Sequence, residues 1–90
     1  MYHREVFRKV GMELQREENC VLVKGSQGNV LLNVSAGLVW EYIDGIRDVG
    51  EIVSNIMRLY GKENSEEHIQ AVVQEAIDEL LRKKLIERRD

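Results

Sequence analysis

Polar and apolar positions alternate or fall in short blocks through the first third of the chain, and recur at helical spacing through the rest. From Met12 to Gln15 they alternate, with Met12 and Leu14 on one face and Glu13 and Gln15 on the other, which predicts a strand. Arg16-Glu17-Glu18-Asn19 is polar enough for a hairpin turn, and Cys20-Val21-Leu22-Val23 is apolar on both faces, as a central strand is. Lys24-Gly25-Ser26-Gln27-Gly28 reads as a loop by its glycines and leads into Asn29-Val30-Leu31-Leu32-Asn33, a short β-prone run with polar ends. The three strands predict an antiparallel meander with the first and third at its edges. Met1 to Gly11 show no clear period and are expected to form an extended lead-in, with Val6, Phe7 and Val10 as candidates to pack on the body.

The remainder reads as three helices. The first starts at an Asn33 or Ser35 cap, is expected to bury Leu38, Val39, Tyr42 and Ile43 with Trp40 covering a flank, and stops at Asp44-Gly45. Gly37 weakens it by roughly 1 kcal/mol relative to Ala, so either close packing or tolerance explains its presence. Asp48-Val49-Gly50-Glu51 has the spacing of a capping box and opens a second helix with an apolar stripe of Ile52, Val53, Ile56, Met57, Leu59 and Tyr60, ended by Gly61. A third helix runs from about Glu66 to Lys84, capped by Asn64 or Ser65, with Glu66 and Glu67 suiting the dipole of its first turn. Its apolar positions, Ile69, Val72, Val73, Ala76, Ile77, Leu80 and Leu81, cover more than the roughly 100° a core stripe requires. One margin is therefore expected to be free for a ligand: either Val72, Ala76, Glu79 and Lys83, or Ile77 and Leu81 with Gln70 and Gln74. Leu85-Ile86 closes the helix and is expected to tuck under the sheet. A small sheet followed by three helices is an α+β order and suits a winged helix-turn-helix.

Ninety residues are expected to form a single domain over 1–90, and 43% hydrophobic with 32% charged residues is the composition of a globular chain, not a disordered one. No run approaches the roughly 18 apolar residues of a membrane span, and the first residues lack the apolar core of a signal peptide, so a cytoplasmic protein with no membrane partner is expected. The single cysteine, Cys20, agrees with a reducing compartment. A net charge of −3 argues against neutralising phosphates as the main task. The basic residues of Arg82-Lys83-Lys84 and Arg88-Arg89 alternate with Glu87 and Asp90 and read as a solvated helix end.

Little in the chain suggests catalysis. His3 and His68 have no second metal ligand at useful spacing and read as surface residues, so no metal or cofactor is expected. Cys20 lies in an apolar strand without a His or basic group to lower its pKa, which suits a buried small hydrophobe better than a nucleophile. Gly25 and Gly28 lie between strands and lead into no helix, so they are not a phosphate loop. Asp44, Asp48 and Glu51 are explained by helix stop and cap.

What stands out is the third strand. An edge strand offers unpaired N–H and C=O groups, usually blocked by Lys, Pro or charge. Val30, Leu31 and Leu32 supply no block, so the chain reads as a scaffold holding an edge open for a peptide, not as an enzyme. Two other uses of such a fold are a DNA-binding regulator, with the third helix in a groove, and a subunit dimerising through the same edge. The first is disfavoured by the outward residues Gln70, Gln74, Glu75, Asp78, Glu79 and Arg82, three acids against one base.

Leu32-Asn33 followed by Ala36, then Val39-Trp40-Glu41, Asp44-Gly45, Val49-Gly50-Glu51-Ile52-Val53 and Leu80-x-x-x-x-Leu85-Ile86 resemble the PqqD-like family of precursor-peptide recognition elements of ribosomally made, modified peptide pathways. The resemblance covers about Met12 to Ile86, and Arg47-Asp48 fits the family's run into helix two. Lys84 departs from it, since the family often has Gly there, and a different helix end is expected as a result. The resemblance implies a winged helix-turn-helix protein that binds a precursor's leader as a strand added to the third strand, against the third helix, and delivers it to a protease, cyclase or radical enzyme. The peptide-binding residues would then be Asn29, Val30, Leu31, Leu32 and Asn33 with Val72, Glu75, Ala76, Glu79 and Lys83; the backbone of Val30, Leu31 and Leu32 would supply the ladder. Val39-Trp40-Glu41 looks most like the lasso-peptide members, whose leaders resemble a Tyr-x-x-Pro pattern. The branch that serves a cofactor precursor is the alternative within the family.

Overall fold

In the computed structural model, which describes residues 2–89, Val21, Val23 and Leu32 turn one face of a three-stranded sheet into the core, all at 2% exposure or less. That sheet is β2 (Met12–Arg16), β3 (Cys20–Gly25) and β4 (Gly28–Asn33), antiparallel in the order β2-β3-β4. Three helices follow: α1 (Val34–Tyr42), α2 (Val49–Tyr60) and α3 (Glu66–Arg82). The meander and the α+β order are those read from the sequence. The β3–β4 loop is shorter than expected, only Ser26 and Gln27 lying between paired Gly25 and Gly28. In β2 a register shift between Glu13 and Gln15 leaves Leu14 bulged, and Met12 and Leu14 stay exposed.

Two further strands were not foreseen. Phe7–Lys9 forms β1 and pairs antiparallel with β5 (Ile86–Arg88), so part of the expected lead-in is a structured ribbon joining both ends of the described chain. The expected lead-in begins at Met1, which like Asp90 lies outside the described residues. Phe7 is buried in the core at 1% exposure beside Leu85 and Ile86, at 0% and 3%.

Local chemistry sets the helix ends. Asn33 caps α1, its side chain accepting from the Ala36 N–H at 2.8 Å. Asp48 and Glu51 form the expected capping box on α2, with bonds of 2.8 and 2.9 Å. Ser65 caps α3 through the His68 N–H at 3.1 Å.

Helix α1 lies between the sheet and the other helices, so it is apolar nearly all round. Trp40 is therefore a core residue at 3% exposure and not the cover of a flank; its Nε1–H donates to the Leu85 carbonyl at 3.0 Å. Leu38 and Tyr42, expected to be buried, are half-buried, and on α2 Leu59 and Tyr60 are exposed. Gly37 is explained by close packing: a Cβ there would lie 2.6 Å from Val21 Cγ2.

The end of α3 keeps a glycine-type turn despite Lys84. Lys84 takes a φ of 59°, its N–H donates to Leu81 O at 3.1 Å, and the Leu85 N–H donates to Leu80 O at 2.9 Å. This is a Schellman ending, closed by the buried Leu80 and Leu85, so the changed helix end expected at Lys84 is not seen.

Candidate functional site

The two edges of the three-stranded sheet differ. Along β2 the bulge at Leu14 breaks the ladder, and Arg16 pairs with Glu13 at 2.7 Å and with Glu41 of α1 at 3.2 Å. Bulge and charge are both devices that block strand addition. β4 has neither: its register against β3 is unbroken and Gly28–Asn33 includes no charged residue.

Which β4 groups face the open side follows from the alternation of an antiparallel ladder, in which each residue turns N–H and C=O to one side. The Glu17 N–H donates to the Cys20 carbonyl at 2.9 Å, so Cys20 faces β2 and Val21 faces β4. Val21 lies opposite Leu32 and Val23 opposite Val30, which commits the backbones of Leu32 and Val30 to β3. Asn29 and Leu31 therefore turn their backbone groups outward. Of the three residues expected to supply a ladder, Leu31 alone is free to do so, and Asn29 joins it. The Leu31 side chain is 61% exposed, whereas that of Leu32 is wholly buried and is a core group. The Asn33 side chain is committed to the α1 cap.

Helix α3 reaches this edge through α1, which packs on both it and β4. Near the start of β4, Leu85 approaches Gly25 so closely that a Cβ on Gly25 would meet Leu85 Cδ2 at 2.9 Å. Past the end of β4, Val34 and Ser35 line a cavity together with Val72 and Val73. α1 packs against β3, β4 and α3, and forms the floor between strand and helix. Along this margin Val72 is half-buried, Ala76 is nearly buried at 5%, and Glu75 and Lys83 are exposed. Glu79 bridges Arg82 at 3.3 Å and Lys83 at 3.9 Å. The opposite margin faces elsewhere: Gln70 and Gln74 line a cleft with Tyr2, His3, Val49 and Val53, and the Tyr2 hydroxyl donates to Asp78. That contact, with burial, raises the Tyr2 pKa above its ordinary value. The structure thus brings Val72 towards the end of β4 and places the Gln70–Gln74 margin beneath the N-terminal segment.

The cavity past β4 was missed in the sequence, although Leu38 and Tyr60 were among the apolar positions read for the first two helices. Cys20 is half-buried on the outer sheet face opposite Asn33, not buried as expected, and His3 and His68 are exposed. Among the described residues no group of three His, Cys, Asp or Glu side chains could hold a metal, and no helix is long and apolar enough to cross a membrane. Asp44 sits in a structural role: its carboxylate accepts from the Arg47 and Ile46 N–H groups, both at 2.9 Å, and these hold its pKa below the usual value.

Compared with known proteins, residues 19–86 match the family model described as coenzyme PQQ synthesis protein D (PqqD). The match begins at the turn before β3 and ends at the first residue of β5, so it spans the open edge, all three helices and the cavity. No curated protein and no solved structure matches the chain.

Proposed function

Because the chain belongs to the PqqD family, we propose that it captures the leader of a ribosomally made precursor peptide as a strand added to β4 and delivers it to processing enzymes. The observation that carries this reading is the asymmetry of the sheet: β2 is bulged and charged, whereas β4 is uncharged and turns the N–H and C=O groups of Asn29 and Leu31 outward. An added peptide takes its affinity from those backbone groups and its specificity from alternate side chains. On one side these enter the groove walled by Val72, Glu75, Ala76, Glu79 and Lys83 of α3. The opposite α3 margin is already engaged by the N-terminal segment, which supports assigning the groove to the Val72 side. The arrangement is that of a winged helix-turn-helix used for peptide capture, with no chemistry assigned to the chain itself.

Within the family, Val39-Trp40-Glu41 supports the lasso-peptide branch, in which a leader protease and a cyclase receive the bound precursor in the cytoplasm. The description of the family as a coenzyme synthesis protein favours a second reading, delivery of a cofactor precursor peptide to a radical enzyme. Both begin with leader binding and differ in the recipient. Duplex DNA suits the site less well, because the exposed face of α3 includes Glu66, Glu67, Glu75 and Asp78.

The test is a fluorescence-polarisation titration with a labelled leader from a neighbouring short reading frame and with a labelled DNA duplex at the same salt. Saturable leader binding at roughly micromolar or tighter, no duplex binding, and loss of leader binding in Leu31→Pro are expected. A folded Leu31→Pro protein that binds leader like the parent would sink strand addition at β4.

A further inference from the structure

A second concave surface lies outside the peptide groove. The N-terminal segment and the end of the chain enclose an open pocket of about 440 Å³ lined by Arg4, Glu5, Val6, Arg88 and Arg89. Three guanidinium groups meet one carboxylate there, in a chain whose net charge is −3. Glu5 answers Arg88, Oε1 to Nε at 3.0 Å. Arg89 donates to a neutral group, the Gly45 carbonyl at 3.1 Å, and neither it nor Arg4 has a carboxylate partner among the described residues. A guanidinium presents several N–H donors in a planar fork, so both retain donors for a planar anion such as a carboxylate.

Two further features narrow the ligand. Glu5 Oε2 is buried without a hydrogen-bond partner, and such an oxygen calls for a donor. Inorganic phosphate, as its dianion, offers the pocket mainly acceptors, whereas a peptide brings backbone N–H groups along with its carboxylates. The other feature is Ile46, at 76% the most exposed of the large apolar residues described. It is nevertheless held in place: the Ile46 and Arg47 N–H groups donate to the Asp44 carboxylate, both at 2.9 Å, and the Gly45 N–H donates to the Phe7 carbonyl at 2.9 Å. The Gly45 carbonyl of this same loop is the one that takes the Arg89 side chain, so a fixed apolar residue stands one position from the edge of the cationic pocket.

We infer that this pocket binds an acidic peptide segment of a second polypeptide. Arg4 and Arg89 hold a carboxylate, Glu5 Oε2 accepts a backbone N–H, and an apolar neighbour in the segment lies on Ile46. The inference goes beyond leader capture and does not rest on it. The pocket shares no residue with β4 or with the α3 margin beside it, so a leader and a second polypeptide are held at the same time, as delivery from one protein to another requires. Side-chain carboxylates and a free C-terminal carboxylate present the same chemistry to the two arginines, and the test separates them.

The backbone amides of the full chain are followed by NMR during titration with acetylated, amidated Asp-Glu-Leu-Glu-Asp-Leu and with the same peptide bearing a free C-terminus. Saturable shifts at Glu5, Gly45, Ile46 and Arg89 are expected below about 1 mM peptide, weakening as salt is raised and retained in Leu31→Pro. Tighter binding of the free-terminus form assigns the C-terminal carboxylate as the ligand, and equal binding assigns the side chains. Arg4→Glu and Arg89→Glu, both at exposed positions, are each expected to weaken binding about fivefold or more at an unchanged urea midpoint. Either serves alone if the other does not fold. Leader binding is expected to be unchanged in both, so failure of the inference leaves leader capture standing. No saturable shift, shifts confined to other residues, or binding that survives both reversals overturns the inference. Inorganic phosphate that matches the peptide at equal ionic strength overturns it too, since the pocket would then be a site for small anions.

Discussion

Lys84 shows how much a single backbone angle can be made to bear. Its φ of 59° lies in the left-handed region, where a Cβ crowds the following carbonyl, and it is held there by the Schellman hydrogen bonds and the burial of Leu85. Lys84→Gly relieves that crowding but gives the unfolded chain more freedom, so a net gain of about 0.5–1 kcal/mol is expected. It should be read as a higher urea midpoint at unchanged slope. Gly37 is the opposite case. Alanine is better in a helix by about 1 kcal/mol, but its Cβ would meet Val21 Cγ2 at 2.6 Å and Val21 Cβ at 3.2 Å. The clash decides the sign, and Gly37→Ala is expected to lower stability by about 1–2 kcal/mol in the same urea assay.

Asp44 offers a pH test at this scale. The N–H groups of Arg47 and Ile46 favour its ionised form in the fold, so its folded pKa lies below the ordinary 3.8. Its contribution is present above that value and is lost as pH falls through the lower, folded one. The amide resonances of Ile46 and Arg47 should therefore titrate with a midpoint below 3.8; a midpoint at or above it would mean that the loop is not held by this carboxylate.

Among the elements, β4 carries the sharpest expectation because neighbouring residues face opposite ways. Proline at 31 removes an N–H that has no partner in the sheet, and stability should change by no more than about 1 kcal/mol. Proline at 30 removes an N–H turned to β3 and leaves the Val23 carbonyl unsatisfied, at a cost of about 1–3 kcal/mol. Urea denaturation of the two variants separates them, and equal losses would mean that the alternation deduced from the Glu17–Cys20 bond is wrong. The N-terminal segment makes a second expectation. Tyr2 stands edge-on to Phe7, with ring centroids 5.8 Å apart, and donates to Asp78. Its raised pKa means that the docked segment is favoured while the phenol is neutral. That contribution is complete below the ordinary tyrosine value of 10.0 and is lost as pH rises through the higher, folded one. Resonances of Gln70 and Gln74 should report release of the segment in alkali, and in Tyr2→Phe this alkaline step should vanish.

For the molecule as a whole, the ribbon of β1 and β5 closes the fold by bringing together residues 79 apart, as Arg8 and Glu87 are at 2.6 Å. That ion pair is exposed and adds little. The weight falls on Phe7, buried at 1% with Leu85 and Ile86. Phe7→Ala is expected to lose about 3–4 kcal/mol, a large part of the roughly 5–13 kcal/mol expected for a chain of this size. A lowered thermal midpoint with leader binding intact at low temperature is the expected outcome, since the ribbon does not pair with β4 and none of its residues lines the cavity.

The sequence by itself determined the meander, the three helices, the capping box at Asp48, the two candidates for each of the other caps, from which the structure takes Asn33 and Ser65, and the uncharged edge. Each is written in neighbouring residues: alternation over four or five positions, a capping side chain three residues before its N–H, an apolar repeat along one helix. Only the tertiary structure decided the rest. Three-residue strands such as β1 and β5 have no period to read and exist because each finds the other. Trp40 lies in the core because α1 is packed between the sheet and α3, which no count of its own apolar residues reveals. The outward turn of Asn29 and Leu31 depends on the register with β3, and the cavity by Val72 on how three helices meet; both are set by contacts between distant segments, where the local pattern is silent.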